Sequence, residues 1–505
     1  MKTNIKQFTE YLLLFIGLQL FSDCYNKEET EKDPYAVKYS KVIHRYNGIN
    51  DTLKLKALIF LLSNLKDQFF LQSEWTDRLN TVLLKNDSIT VLTLIRTNDS
   101  IHRICSSVFS TIQDDSVITD SFLIETIDRA FETRKYKWSQ NIPFSDFCEY
   151  VLPYKTGNEK PENWGACLNS EQYLQKDSLK QIKTVFEAAA YVNSHLNWIH
   201  ATVNYDYPID LGFSMSKIIA TGTCYTQARI ALFILKSLGL PGVIDFVPSW
   251  GNRSDGHYWN AVIIDNKAFP FDPTGPNIGF YKIQFKGLGR MPYKISKVFR
   301  QTYAVQSNSL SQLNNSNEPV PQIFISKRLK DVTNMYTPTS DIVLRYHSTI
   351  SRNFAYLFTF NDKIWIPSYW GRVVNNDIQF ENMGRDIVYL PGLYLNNDET
   401  VPIGNPFILT GNGDTRELHP NMNITQDLQI WKKYPEDVTN NILKGDKYKL
   451  FYWDFGWISL GEKIADTNRL EYLHAPTNAL FLIRDLTKGK QERIFTYENN
   501  KQIWW

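Results

Sequence analysis

Between residues 34 and 135 the apolar positions follow a helical rhythm. Leu53-Lys-Leu-Lys-Ala-Leu-Ile-Phe-Leu-Leu-Ser-Asn-Leu-Lys66 and Asp120-Ser-Phe-Leu-Ile-Glu-Thr-Ile-Asp-Arg-Ala-Phe131 both place them three and four apart. Pro143, Pro153 and Pro161 then cut the chain into short segments around Phe144, Phe147, Tyr150, Tyr154 and Trp164. A second helical stretch, Ser178 to His200, follows. From about residue 340 the pattern changes to short aromatic and β-branched runs separated by Asn, Gly and Pro, which predicts antiparallel β-structure.

An internal repeat runs through that last region. Tyr356-Leu-Phe-Thr-Phe, Trp365-Ile-Pro-Ser and Asp386-Ile-Val-Tyr-Leu-Pro391 recur as Lys449-Leu-Phe-Tyr-Trp453, Trp457-Ile-Ser-Leu and Asn478-Ala-Leu-Phe-Leu-Ile483, offset by 92 or 93 residues. Two β-modules, 341–435 and 436–505, or one sandwich with duplicated halves, are expected from it. The stretch 306–340, with its Asn314-Asn-Ser-Asn-Glu-Pro319, is expected to be a linker.

Composition narrows the function classes. The 505 residues allow two to four domains, and 43% hydrophobic with 21% charged residues is ordinary for a folded protein. A net charge of +2 and the lack of a basic stripe argue against a nucleic-acid partner. Aromatics reach 14%, which suits β-rich domains and binding surfaces. Five Cys are too few for a disulfide framework.

At the N-terminus, Lys2 and Lys6 precede the apolar run Tyr11-Leu-Leu-Leu-Phe-Ile-Gly-Leu-Gln-Leu-Phe21, and Cys24 follows. A cationic start with an apolar run too short to span a bilayer predicts a secretory signal over 1–23. Cys24 resembles the lipidated cysteine of a bacterial lipobox, although Asp23 stands where a small residue is usual. Asn26-Lys-Glu-Glu-Thr-Glu-Lys-Asp33 has the polarity of a tether, and it is similar to the acidic export signal of Bacteroidetes surface lipoproteins. An envelope location with a membrane anchor is the expectation. An oxidising compartment permits a disulfide such as Cys148–Cys167 without assigning one.

The chemistry concentrates between 220 and 275. Thr221-Gly-Thr-Cys224 opens an amphipathic helix expected to run to Leu238, with Gly239 and Pro241 at its end. Cys224 therefore lies in the first turn, where free N–H groups and the positive dipole end favour thiolate. Backbone N–H groups at the same end suit an oxyanion hole, and Gly222 allows close approach of a carbonyl. Gly256-His-Tyr-Trp-Asn-Ala-Val-Ile-Ile264 reads as a strand, Asp265-Asn266 as a two-residue turn, and Lys267-Ala-Phe-Pro-Phe-Asp272 as its return. With Ile264 opposite Lys267, Asp272 faces Trp259 and is the diagonal neighbour of His257 on one face. A carboxylate there can hold the imidazole while the other ring nitrogen meets the thiol. No metal-ligand spacing or phosphate-binding glycine loop occurs, so neither metal nor other cofactor is expected.

Across about 180–290 these residues resemble the transglutaminase-like superfamily. The match includes Gly222-Thr-Cys, Leu238-Gly-Leu-Pro-Gly242, Gly256-His-Tyr-Trp-Asn260 and Phe271-Asp-Pro-Thr274. The wider arrangement, including Pro248-Ser-Trp-Gly-Asn-Arg253, is similar to Bacteroidetes envelope proteins that join this core to N-terminal helices and β-rich C-terminal domains. The resemblance implies an α+β fold: a papain/transglutaminase-like core (136–305) after a tether and helical region (24–135), with C-terminal antiparallel β-sandwich modules. It makes Cys224 the nucleophile, His257 the general base and Asp272 its orienting partner. The upstream oxyanion side chain cannot be placed by motif here, and Tyr205 and Tyr207 are named for it only as guesses. Members of the superfamily are peptidases, amidases, deglycosylating amidases and cross-linking transferases. A cysteine amide hydrolase or acyl transferase acting on peptide, glycopeptide or cell-wall amides is thus expected, with Trp250, Tyr258 and Trp259 as candidate substrate-binding residues. The competing expectation is a non-catalytic carbohydrate- or protein-binding surface lipoprotein that keeps the triad as scaffold.

Lipidation can be tested directly. A clickable fatty acid fed to the producing cells should label the wild type and not Cys24→Ala, and label surviving the substitution would refute the assignment.

Overall fold

The computed structural model describes residues 34–72, 109–165, 180–197, 199–201, 209–273, 275, 278–279, 292–316, 318–346, 348–396, 399–436, 438–489 and 491–505. The expected signal sequence, Cys24, Cys105 and Cys167 lie outside the described residues. The chain forms two compact units. One comprises Met1–Gln172, Tyr207–Ile219 and Lys236–Gly239; the other comprises Tyr173–Asp206, Ala220–Leu235 and Leu240–Trp505.

In the first unit, helix α1 (Thr52–Ser63) packs on α2 (Asp120–Glu132). Thr119 caps α2 by accepting from the Phe122 N–H, and Leu123, Ile127 and Ala130 form its buried stripe. The region expected to be wholly helical also holds an antiparallel pair, Phe69–Gln72 with Ser110–Gln113. Residues 136–165, expected in the catalytic domain, belong to this unit. Their Trp164 indole donates to the Tyr154 carbonyl at 2.7 Å.

The second unit is built on helix α3 (Val185–Ser194), all but the last two residues of helix α4 (Cys224–Ser237) and a five-stranded antiparallel sheet. Its strands are β1 (Gly242–Val247), β2 (His257–Ile264), β3 (Lys267–Phe271), β4 (Phe299–Gln301) and β5 (Leu329–Asp331), in the order β3-β2-β1-β4-β5. Every residue of β1, the central strand, is buried.

Eight further antiparallel strands form one sheet, β6 (Thr339–Arg345), β7 (Phe354–Asn361), β8 (Ile364–Val374), β9 (Asp377–Gly384), β10 (Ile387–Tyr394), β11 (Thr400–Pro402), β12 (Phe407–Leu409) and β13 (Thr415–Glu417). Then β14 (Asn421–Ile430) pairs with β17 (Leu470–Thr477). A second five-stranded sheet joins β15 (Lys447–Trp453), β16 (Trp457–Ile464), β18 (Phe481–Asp485), β19 (Ile494–Glu498) and β20 (Lys501–Trp504). Leu428, Ile430, Tyr448, Leu450, Phe481 and Phe495 share one core, so β14 belongs with the last module, which begins before residue 436. Among the described residues, no helix is long and apolar enough to cross a membrane.

The repeat is visible in detail. Strands β8-β7-β10 and β16-β15-β18 are neighbours in the same order. Their registers shift at Leu357/Phe358 and at Leu450/Phe451, and left-handed residues, Asp386 and Asn478, precede the third strand of each set. Phe360 pairs with Trp365 across one hairpin end, as Trp453 pairs with Trp457 across the other. The two ends meet reciprocally. Phe360 lies edge-on to Trp457 at 6.0 Å, and Trp365 to Trp453 at 5.6 Å, as a local two-fold relation requires.

Residues 306–340 differ from the expected linker. Leu310, Phe324 and Leu329 are buried in the core shared by the central sheet and the eight-stranded sheet, and β5 extends the central sheet itself. The reason is the apolar face of β1 and β4. Phe246 and Phe299 need cover, and Phe324 supplies it, 5.6 Å from Phe299 and 5.0 Å from Trp370. Phe324→Ala should therefore lower the unfolding free energy by about 3–5 kcal/mol in urea denaturation. A change of less than about 1 kcal/mol would mean the segment is not packed.

Candidate active site

The site begins at the start of α4. The helix opens with Cys224, and the Gln227 N–H bonds the Thr223 carbonyl at 3.0 Å. A Cβ on Gly222 would lie 2.5 Å from the Thr226 Cβ, so the glycine lets the preceding chain pass close to the first helical turn. Gly239, at φ +68°, closes the other end. Its N–H bonds the Lys236 carbonyl and the Leu240 N–H bonds the Leu235 carbonyl, both at 3.0 Å, which is a Schellman cap. Asn260, wholly buried on β2, fixes α4 against the sheet by donating to the carbonyls of Ala228 at 3.0 Å and Val243 at 3.1 Å.

The β2–β3 hairpin has the expected register, with Ile264 opposite Lys267 and Asn260 opposite Phe271. Asp272 follows β3 directly, and its Oδ1 lies 2.6 Å from His257 Nε2. That contact leaves Nδ1 as the ring nitrogen available to Cys224. The turn beyond Asp272 is held from two sides. The Gly275 N–H bonds the Asp272 carbonyl at 2.8 Å, and Asn193 of α3 donates to the Gly275 carbonyl at 3.0 Å. A capping box, Thr184 with Glu187, starts α3.

The electrostatics of Cys224 follow from these neighbours. Burial pushes the thiol up, but the hydrogen bond and charge of His257, with the N–H groups of Tyr258 and Tyr225, outweigh it and bring the thiol below its ordinary range. Cys148, the other free thiol among the described residues, shows burial acting with little opposition and is pushed up to about 12. The His257 and Asp272 side chains are 14% and 28% exposed, so solvent reaches the pair.

The three aromatic candidates separate. Trp259 is wholly buried and Trp250 is 3% exposed, in a small core with Val247, Ile295, Val298 and Val332. Neither has surface to offer a substrate. Their rings instead run roughly parallel to the His257 imidazole, with centroids 6.2 Å (Trp259) and 6.4 Å (Trp250) away. Alternation along β2 put Trp259 on the His257 face, but that pattern does not tell a cleft from a core. Tyr258 is partly exposed, between Phe246 and Tyr225 at 4.8 Å from each. Tyr225, partly exposed beside Cys224, joins the site as well, and its place next to the Cys is the sequence signal for it. Tyr205 and Tyr207 lie outside the described residues, as does Thr274.

No family model and no curated protein matches the chain. Among solved structures it is similar to the crystal structure of red sea bream transglutaminase, at 10% identity over 71% of each chain, with a TM-score of 0.20. The fold is a mixed α+β arrangement of N-terminal helices and several C-terminal antiparallel sheets, with this weak transglutaminase-like likeness. A likeness of that size carries no argument about activity, which must rest on the site.

The geometry makes a direct demand on reactivity. Cys224 should react with iodoacetamide at a pH below that needed by a free thiol of pKa about 8.5, and His257→Ala should move the onset upward. Folded Cys148 should stay unmodified throughout. An ordinary profile at Cys224, unchanged by His257→Ala, would show that the two side chains do not interact.

Proposed function

We propose that the chain is a cysteine amide hydrolase working through an acyl-enzyme. One observation carries this reading: the Asp272 carboxylate holds the His257 imidazole, and that imidazole hydrogen-bonds the Cys224 thiol, which lies below its usual range. The Cys224 thiolate attacks an amide carbonyl, forming a C–S bond and an oxyanion that N–H groups at the start of α4 can receive. The imidazolium gives its proton to the departing amine as the C–N bond breaks. Water, deprotonated by the neutral imidazole, then attacks the thioester, and the sulfur leaves as thiolate. Asp272 keeps the tautomer and orientation that these transfers need.

Solvent access to His257 and Asp272 supports water over an amine as the second reactant. The substrate class in this reading is a peptide, glycopeptide or cell-wall amide of the envelope. The chain would meet it while anchored to the membrane through a lipid on Cys24.

The triad members should contribute unequally with such a substrate. Cys224→Ala should form no acyl-enzyme by mass spectrometry, and His257→Ala should be nearly as inactive. Asp272→Asn should keep a rate within a few hundredfold of wild type, since one charge-assisted contact is worth about 1.5–3 kcal/mol. Equal turnover in wild type and Cys224→Ala would sink the proposal. Ligand binding without turnover, insensitive to all three substitutions, would favour a scaffold that only binds.

A further inference from the structure

The segment leading into His257 is a closed loop between β1 and β2, and its supports come from elsewhere in the same unit. Trp250 N–H bonds the Asp255 carbonyl at 3.1 Å, and Gly251 N–H bonds the Lys294 carbonyl at 2.8 Å. Asn252 brackets 292–294, donating to the Pro292 carbonyl and accepting from the Lys294 N–H. A Cβ on Gly251 would lie 2.4 Å from Ile387 Cδ1, and one on Gly256 would lie 2.5 Å from the Val247 carbonyl oxygen. The loop thus has little room to relax.

Three residues of the β-modules grip this loop at successive positions. Arg493, wholly buried just before β19, donates to the carbonyls of Gly251 at 2.7 Å and Arg253 at 3.2 Å, and also to main-chain oxygens of Phe360 and Trp505. Glu436 takes the Arg253 guanidinium in a two-point ion pair, while the Tyr293 ring covers that guanidinium at 4.0 Å. Asn361, at the end of β7, accepts the Asp255 N–H at 2.7 Å. Asp255 has φ +67°, an uncommon conformation for a residue other than glycine, and stands two positions before His257.

Burying a guanidinium is costly, and burial brings Arg493 down to about 9. Four main-chain oxygens compensate it, and two of them belong to this loop. A planar fork can serve several acceptors at once, which a lysine ammonium on a thinner stem cannot reproduce.

We propose that Arg493, Glu436 and Asn361 are positioning residues for His257, so that the β-modules set the reactivity of Cys224 through the Trp250–Asp255 loop. The inference rests on the catalytic reading of Cys224 and His257, and it assigns the C-terminal modules a part in that site beyond any ligand of their own. None of the three need touch substrate. They act by fixing the backbone from which the imidazole projects, and sub-ångström errors there weaken the thiol–imidazole pair.

The test uses the full chain and the pH profile of Cys224 alkylation by iodoacetamide, with circular dichroism to establish folding. Arg493→Lys should raise the apparent thiol pKa by about one unit, an almost tenfold loss of alkylation rate well below that pKa. Asn361→Ala, at a partly exposed position, should give a smaller shift in the same direction of about two- to threefold. Phe481→Leu, in the core of the last module but away from the loop, should lower stability without moving the profile. If Arg493→Lys fails to fold, Asn361→Ala and Glu436→Gln decide the matter. Folded loop variants with the wild-type profile would overturn the inference while leaving the catalytic reading intact. A wild-type Cys224 with an ordinary profile would instead overturn the catalytic reading, and this inference with it.

Discussion

With Asp265 and Asn266 both in the left-handed region, at φ 49° and 60°, the turn between β2 and β3 has the twist of a two-residue type I′ hairpin. That turn sets Ile264 against Lys267 and, by propagation, brings Asp272 to His257. A slip of one residue would send the Asp272 carboxylate to the opposite face of the sheet. It would also take Phe271 away from Asn260, whose amide ties β2 to α4 and so to Cys224. Asp and Asn are the residues other than glycine that tolerate this conformation best. The approach of Asp272 to His257 is therefore written into a turn several residues away from both.

Behind the histidine the protein uses buried polar groups as spacers. Asp245, on the central strand, accepts both arms of Arg300 at 2.8 Å and the Tyr336 hydroxyl at 2.5 Å; Tyr336 in turn accepts the Trp259 indole N–H at 3.2 Å. Such an ion pair recovers little more than its own desolvation, but removing one partner strands a charge, so it holds geometry more than it adds stability. What it holds is the Trp259 ring, parallel to His257. Lys297 does similar work at the border with the eight-stranded sheet. It is wholly buried and pulled down to about 8 by that burial, and it pairs with Asp331 at 2.6 Å while donating to the Asn382 carbonyl.

Much of this was legible in the chain because it depends on neighbours close in sequence. Periodicity located α4 to within a residue, the Asp-Asn dipeptide set the hairpin register, and the 92–93 offset extends to matching register shifts. What escaped was everything that needed to know which surfaces meet. Trp250 and Trp259 looked like cleft residues because alternation is blind to what covers a face. The 306–340 stretch looked like a linker because its Asn-rich part is polar, while Phe324 and Leu329 became core only when Phe299 and Trp370 enclosed them. Arg493 had no local sign at all, since its acceptors on the loop stand 240 and 242 positions earlier.

That separation has a temporal side. A chain emerges from the ribosome in order, at about 5–20 residues per second, so the loop that Arg493 grips is made on the order of tens of seconds before the arginine itself. During that interval its carbonyls must find other acceptable partners, water above all, and the folded loop cannot be complete. Contacts this distant in sequence are also slow to close from an unfolded chain, because loop entropy is lost before any bond compensates it. Maturation of the neighbourhood of His257 is thus tied to the last module made. If Arg493 positions His257 as proposed, a nascent chain would carry Cys224 as an ordinary thiol until the final strands had docked.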